Sequence, residues 1–341
     1  MFRVGVTGDF LKADGTLGFG DIGLDLFEGS DVSWEFLPAG SEVLPEQARD
    51  YEGLLVLAPR VTARTLSGTD RLKVVARFGV GYDNVDVPAC TQAGVLLTIT
   101  PEGVRRPVAV AAMTFLLALS HKLLIKDRLT RNGRWAEKLE HTGQGVTGCM
   151  LGIIGLGNIG RELAALARPF GLRLLAYDPY VLPIVAAEAD ATLVSLEDLL
   201  RQSDYVCICC ALTPDTHHLL NAERIALMKK TAYLINVARG PIVDQAALYE
   251  ALRERRLQGA ALDVFEREPV VPDDPILTLD NVILAPHASC WTDECFRLNG
   301  QSAITGLLDM ARGVIPPNVV NRDALAHPRL QHLKPREAYE R

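Results

Sequence analysis

Between Gly152 and His287 the chain sets several kinds of chemistry-bearing residue in one order. A glycine loop, Gly155-Leu-Gly157-Asn158-Ile159-Gly160, comes first, and a carboxylate at Asp178 follows. An arginine then stands in Asn236-Val237-Ala238-Arg239-Gly240, and a glutamate and a histidine close the series in Glu266-Arg267-Glu268-Pro269 and Pro286-His287. Glycines at this spacing let backbone approach a pyrophosphate at a helix N-terminus, and a carboxylate after the next strand accepts hydrogen bonds from ribose hydroxyls. Arginine offers a planar fork to a carboxylate. A histidine beside an acid moves a proton near neutral pH. The set describes a hydride-transfer site for a carboxylate substrate.

The glycine pattern alone is a weak signal in a chain with 28 glycines, so its surroundings carry the weight. A strand-like run, Met150 to Ile154, leads straight into the loop, an amphipathic run follows it, and Asp178 ends the next strand. Here Gly155 permits the tight turn, Gly157 the approach of phosphate, and Gly160 close helix packing. No arginine follows Asp178 in Pro179-Tyr180-Val181, and a carboxylate repels a 2′-phosphate, so NAD is expected rather than NADP. Taken singly, His287, Glu268 and Arg239 also have bland explanations: a capping histidine, a surface glutamate, an arginine in an ordinary salt bridge. Glu266 competes with Glu268 as the partner of His287.

These residues need elements to hold them. Apolar runs of strand length at 150–154, 173–177, 191–194, 205–210, 233–237, 259–262 and 282–285 alternate with helix-like runs, notably 159–169, 196–201 and 245–255. Near-continuous apolar strands separated by helices predict a parallel sheet covered on both faces. A second series, at 3–7, 33–37, 54–58, 74–78 and 95–98, belongs to another α/β domain. The run 104–128 reads as one long helix bridging the domains, and 293–312 as a helix that returns the chain to the first. The fold class expected is α/β with two doubly wound parallel-sheet domains. The boundaries expected are a substrate domain at 1–103 and 291–320, a nucleotide domain at 104–290, and a polar, surface-lying tail at 321–341.

A length of 341 residues suits two domains. The composition, 48% hydrophobic and 23% charged, is that of an ordered globular chain. A net charge of −7, with no basic run longer than Arg105-Arg106 or Lys229-Lys230, argues against a nucleic-acid partner. The uncharged run 107–120 is too short to span a bilayer and reads as a buried helix, so no membrane partner is expected. The first residues begin like a strand and lack a signal-peptide layout, which predicts a cytoplasmic protein. Seven dispersed cysteines lack metal-type spacing, and Cys207, Cys209 and Cys210 crowd a run of buried-strand type where thiols act as small hydrophobes. No metal site is expected.

Gly155 to Gly160, Leu212-Thr-Pro-Asp-Thr216, Asn236 to Asp244, Leu262 to Pro269 and Ala285-Pro-His287 together resemble the D-isomer-specific 2-hydroxyacid dehydrogenases, a family that includes phosphoglycerate dehydrogenase and the glyoxylate/hydroxypyruvate reductases. The resemblance covers about 54–318. It implies a Rossmann NAD-binding domain inserted into a split, flavodoxin-like substrate domain, and a homodimer built on the nucleotide domains. It makes Arg239 the residue that binds the carboxylate and polarises the carbonyl, Glu268 the partner of the histidine, and His287 the general acid/base. It places Asn158, Ile159, Cys210, Val237, Ala238 and Asp263 against NAD. Arg77-Phe-Gly-Val80-Gly81-Tyr-Asp-Asn84 resembles the substrate loop, whose Val80 and Gly81 N–H groups would take the substrate carboxylate. Trp135 resembles an aromatic near the dimer interface, with core packing as the alternative.

Several departures from the family pattern surround the substrate. Cys209 and Ala211 replace a usual histidine and proline, Trp291 follows the histidine loop and could shape the pocket, and the segment 8–23 has no counterpart. Where phosphoglycerate dehydrogenases tend to hold phosphate, Leu57-Ala58-Pro59 offers no cation, although Arg60, Arg64, Arg77, Arg105 or Arg106 could reach the pocket from a loop. The expected activity is therefore NAD-dependent interconversion of a small 2-oxo acid and its D-2-hydroxy acid, of the glyoxylate or hydroxypyruvate type. Phosphoglycerate oxidation is an alternative. Two other uses of the same residues are an NAD-sensing, corepressor-like interaction protein, marked by NADH-dependent partner binding, and an NAD-retaining oxidoisomerase, marked by non-dialysable cofactor.

Overall fold

The computed structural model describes residues 1–336. The chain forms two compact units, one made of Met1–Val104 and the chain from Trp291 onward, the other of Arg105–Cys290. In the first unit, strands β1 (Phe2–Val6), β2 (Val32–Phe36), β3 (Gly53–Val56), β4 (Val74–Arg77) and β5 (Leu96–Thr98) make a parallel sheet in the order β2-β1-β3-β4-β5. This is the flavodoxin-like order, whose direction of winding reverses between β1 and β3. The helix Asp293–Ala311 packs on this sheet through Ala303, Ile304, Leu307 and Met310. Its first turn is capped by Thr292, whose hydroxyl accepts from Cys295 N–H.

In the second unit, β6 (Met150–Ile154), β7 (Arg173–Tyr177), β8 (Ala191–Leu193), β9 (Tyr205–Ile208), β10 (Tyr233–Asn236), β11 (Gly259–Leu262) and β12 (Val282–Leu284) form a seven-stranded parallel sheet. Its order is β12-β11-β10-β9-β6-β7-β8, a Rossmann arrangement extended by one strand, with its switch point between β6 and β9. Strands β9, β10 and β11 are buried along their whole length, as their uninterrupted apolar sequences require of strands covered on both faces.

Two expectations need correction. The run 104–128 is two helices, Pro101–Ser120 and Leu123–Arg131, because Lys122 takes a left-handed conformation (φ 51°) that stops one helix and caps the next. The first of these has the length and hydropathy of a membrane span. Yet Glu102, Arg105 and Arg106 occupy its first turns, and Ala109, Ala112, Met113 and Leu116 are buried in the core of the second unit. The tail does not lie loosely on the surface: Leu330 and Leu333 enter the core of the first unit, and Asn321 bridges Leu97 N–H (2.8 Å) and the Val95 carbonyl (2.9 Å). A polar sequence hid this because its few apolar residues are widely spaced. The last residues of the expected tail, 337–341, lie outside the described residues.

The segment 8–23 is a small turn structure, with Leu11 bridged to Leu17, that buries Phe10 and Ile22. Its Phe19 meets Trp291 and Phe296 edge-on, with ring centroids 5.1 and 4.9 Å away. Trp291 is thus part of an aromatic cluster, with half of its surface exposed. Trp135 is exposed, with Lys138 over its ring, so core packing does not explain it.

Candidate active site

Strand β6 delivers the glycine loop at the switch point of the second unit. Gly155 has φ 93°, and a Cβ there would stand 2.6 Å from the Cys210 nitrogen, so this turn admits no larger residue. A Cβ on Gly160 would overlap the Gly155 carbonyl, whereas one on Gly157 would meet open space. Gly157 precedes the helix Asn158–Ala167 without any side-chain cap, which leaves the helix N-terminus to an anionic ligand. Asp178, just beyond β7, points back at the loop: Oδ2 accepts from Leu156 N–H (2.9 Å) and Oδ1 from Tyr180 N–H (2.9 Å). Each oxygen keeps a lone pair for a ribose hydroxyl. These residues fit a dinucleotide: an uncapped helix N-terminus suits a pyrophosphate, and a carboxylate with free lone pairs suits a ribose. Burial pushes the Cys210 thiol up to about 12, so it is a neutral wall of this cleft.

The proton-transfer candidates stand on the loops after β10, β11 and β12. His287 Nδ1 lies 2.7 Å from Glu268 Oε2, and Glu268 Oε1 accepts from Phe265 N–H at 2.9 Å. Burial opposes ionisation of Glu268, but hydrogen bonds from His287 and Phe265 and the nearby charges of His287 and Arg239 outweigh it. Its carboxyl is held below the usual range. A carboxyl with a lowered pKa stays ionised on acidification until the pH falls through that lowered value, so the contact with His287 persists across neutral and mildly acidic pH. Glu266 has a different partner, His218, and leaves His287 to Glu268.

Two buried residues that the sequence did not mark as supports hold these loops. Asp263 Oδ1 accepts from Ala288 (2.9 Å) and Ser289 (3.0 Å), and its carbonyl accepts from His287 N–H (2.7 Å). His287 takes φ 53° there, a conformation uncommon outside glycine and one that surrounding bonds must enforce. Asn236, at the end of β10, accepts from Ala238 N–H (3.0 Å) and donates to the Arg239 carbonyl (2.9 Å), curling the loop that presents Arg239. Val237 and Ala238 sit in that curl. Polar residues closing apolar strands were the available signal.

Gly240 lets the Arg239 loop press on the Glu268 loop, since a Cβ at Gly240 would overlap the Phe265 carbonyl. Gly240→Ala should therefore force the two loops apart. We expect a destabilisation of about 1–3 kcal/mol or more and a loss of turnover beyond what lost stability explains, read from thermal midpoint and kcat. Turnover equal to the parent's would show that the loops can separate harmlessly.

Val80 and Gly81 belong to the first unit, on the loop after β4. Gly79, at φ 134°, donates to Thr100 Oγ1 (2.8 Å), and Thr100 N–H returns a bond to the Gly79 carbonyl (3.0 Å). Among the described residues the N–H groups of Val80 and Gly81 have no hydrogen-bond partner. Successive N–H groups of this kind suit an anion.

Residues 113–289 match the family described as D-isomer specific 2-hydroxyacid dehydrogenase, NAD binding domain. A protein named glyoxylate reductase from Korarchaeum cryptofilum is 38% identical over 292 residues, 84% of this chain and 88% of that protein. D-3-phosphoglycerate dehydrogenase of Methanocaldococcus jannaschii is 38% identical over 296 residues, but this chain spans only 56% of its length. Among solved structures, D-lactate dehydrogenase of Aquifex aeolicus, complexed with NAD and lactic acid, superposes with a TM-score of 0.77 at 28% identity, covering 93% of this chain and 99% of that one. A glycine cradle at a Rossmann switch point, a paired histidine and glutamate beyond it, and relatives matched over most of their length lead to one assignment: the chain belongs to the D-isomer specific 2-hydroxyacid dehydrogenase family and carries its NAD-binding domain.

Proposed function

We propose that this protein reduces a small, unphosphorylated 2-oxo acid of the glyoxylate or hydroxypyruvate type to its D-2-hydroxy acid with NADH, or runs the reverse reaction. The observation that carries this reading is the 2.7 Å contact between His287 Nδ1 and Glu268 Oε2, which leaves Nε2 as the proton-exchanging atom. Held by the glycine loop and Asp178, NADH would supply hydride for the carbonyl carbon. His287 gives the carbonyl oxygen its proton, and Glu268 fixes the ring. Arg239 takes the carboxylate. Asn158, Ile159, Val237, Ala238 and Asp263 line the cofactor. A panel of 2-oxo acids assayed by NADH oxidation tests the reading; no turnover of any would overturn it.

Four of the five arginines near the expected substrate segments, all but the exposed Arg64, are engaged by other groups, which favours an unphosphorylated acid. Arg105 and Arg106 meet Glu162 at 3.5 and 2.7 Å, Arg60 reaches Glu42 at 3.8 Å, and the Arg77 guanidinium turns to the Phe78 carbonyl. Hydroxypyruvate should therefore exceed phosphohydroxypyruvate in kcat/KM. A tenfold advantage for the phosphorylated compound, about 1.4 kcal/mol of transition-state binding, would reveal a phosphate site and favour phosphoglycerate oxidation. Asp178→Ala should raise the ratio of NADPH to NADH efficiency, because a repulsive charge and a ribose acceptor both go. Unchanged discrimination would remove Asp178 from the ribose.

The reading extends to a cytoplasmic homodimer. Free thiols at Cys90, Cys149, Cys207, Cys209 and Cys210 suit a reducing compartment. Leu123, Leu124, Trp135 and Leu139 leave apolar surface exposed on the second unit, in keeping with a partner there.

A further inference from the structure

The second unit holds another histidine–carboxylate pair, one that the reaction does not use. His218 Nε2 lies 2.8 Å from Glu266 Oε1, two residues before Glu268. Glu266 Oε2 accepts from Gln245 N–H (3.2 Å), and Glu266 N–H donates to Gln245 Oε1 (3.0 Å). Gln245 Nε2 continues to Asp274 Oδ2 at 2.8 Å. On the other side, His218 N–H donates to the Pro241 carbonyl at 2.8 Å, and Leu220 N–H to the Ile242 carbonyl at 3.0 Å. Three segments distant in sequence are thereby tied together: the turn after β9, the Arg239 loop after β10, and the Glu268 loop after β11.

A surface ion pair is the bland explanation, and the geometry goes beyond it. Both partners are only about one-third exposed. His218 is held at φ 48°, a left-handed conformation that costs energy for a residue with a side chain. Both Glu266 oxygens and its N–H are engaged, so this residue cannot turn without releasing the neighbouring loop. Asp263 and the buried Val264 and Phe265 anchor the start of that loop, whereas Phe265 N–H is spent on Glu268 itself. We propose that His218 and Glu266 are positioning residues that hold Glu268, and through it the ring of His287, in register with Arg239. The inference rests on the catalytic reading of His287 and Glu268.

The test is a double-mutant cycle between His218 and Glu268, read as kcat at saturating NADH and substrate. His218→Asn keeps a residue that tolerates φ 48° and is too short to reach Glu266. It should lower kcat about tenfold, a size typical of small misplacements of reacting groups, while the NADH dissociation constant and thermal midpoint stay near the parent's. His218→Gln, whose amide can still donate to Glu266, should recover most of the loss. In a Glu268→Gln background His218→Asn should change kcat by less than about twofold, since the contact it serves has gone. Equal factors in both backgrounds, or a kcat in His218→Asn equal to the parent's, would overturn the proposal. His287→Gln is the control: parental kcat there would mean that the underlying catalytic reading had failed, not the positioning role alone.

Discussion

His287→Gln is expected to lower kcat by about 10²- to 10⁴-fold, the usual contribution of a general acid/base group, with NADH affinity within a few-fold of the parent's. The ring sits after β12, bonded through Nδ1 to Glu268, so its Nε2 is the atom that can exchange a proton. The glycine loop after β6 and Asp178 after β7, proposed to cradle the dinucleotide, make no hydrogen bond to His287. Asp263 meets it only through the backbone, since His287 N–H, which glutamine keeps, donates to the Asp263 carbonyl. Glutamine keeps a polar group of similar reach but does not gain and lose a proton near neutral pH. Steady-state kinetics and NADH fluorescence titration on one preparation decide the matter. Near-parental kcat would remove His287 from proton transfer, and a large loss of NADH affinity would make it a cofactor ligand.

Arg239→Met should cost kcat/KM about 2–5 kcal/mol, roughly 30- to 5,000-fold, the range for truncating one member of a desolvated charge pair. Part of that loss would come from the substrate carboxylate and part from Glu268, whose carboxyl is held low in part by the Arg239 charge. Removing the arginine should therefore let that carboxyl rise. Arg239→Lys keeps a charge but loses the planar fork, so it should recover only a fraction of the activity. Full recovery would mean that Arg239 acts as a bare charge and does not orient the acid. The comparison requires equal thermal midpoints, because the Arg239 carbonyl also anchors its loop through Asn236.

Much of the fold was legible because its signals are local. A buried parallel strand is a short apolar run, and β6, β7 and β11 span the predicted residues without change. The strand expected at 95–98 starts one residue late, and the remaining ones end one or two residues early; β9 stops at Ile208, before Cys210, and β10 at Asn236, before Arg239, where the chain turns to present site residues. Lys122 was opaque because nothing in a run of good helix formers announces a left-handed residue. The packed tail was opaque because the fit of Leu330, Leu333 and Asn321 depends on surfaces made by other parts of the chain.

The cofactor was written in the sequence by itself, since strand, glycine turn, helix and acidic residue are consecutive, and their geometry follows from one βαβ unit. The residue types for proton transfer and anion binding were written there too. Which of them meet was decided by tertiary structure. Glu266 and Glu268 are both within chain reach of a histidine, and sequence alone offered either to His287. Strand order sets β10 between β9 and β11, with β12 beyond β11, so the loops carrying His218, Arg239, Glu268 and His287 leave the sheet in a row. The bends of the loop after β11 then turn Glu266 towards His218 and Glu268 towards His287. Contacts between loops separated by twenty to fifty residues depend on that order, and no local propensity encodes it.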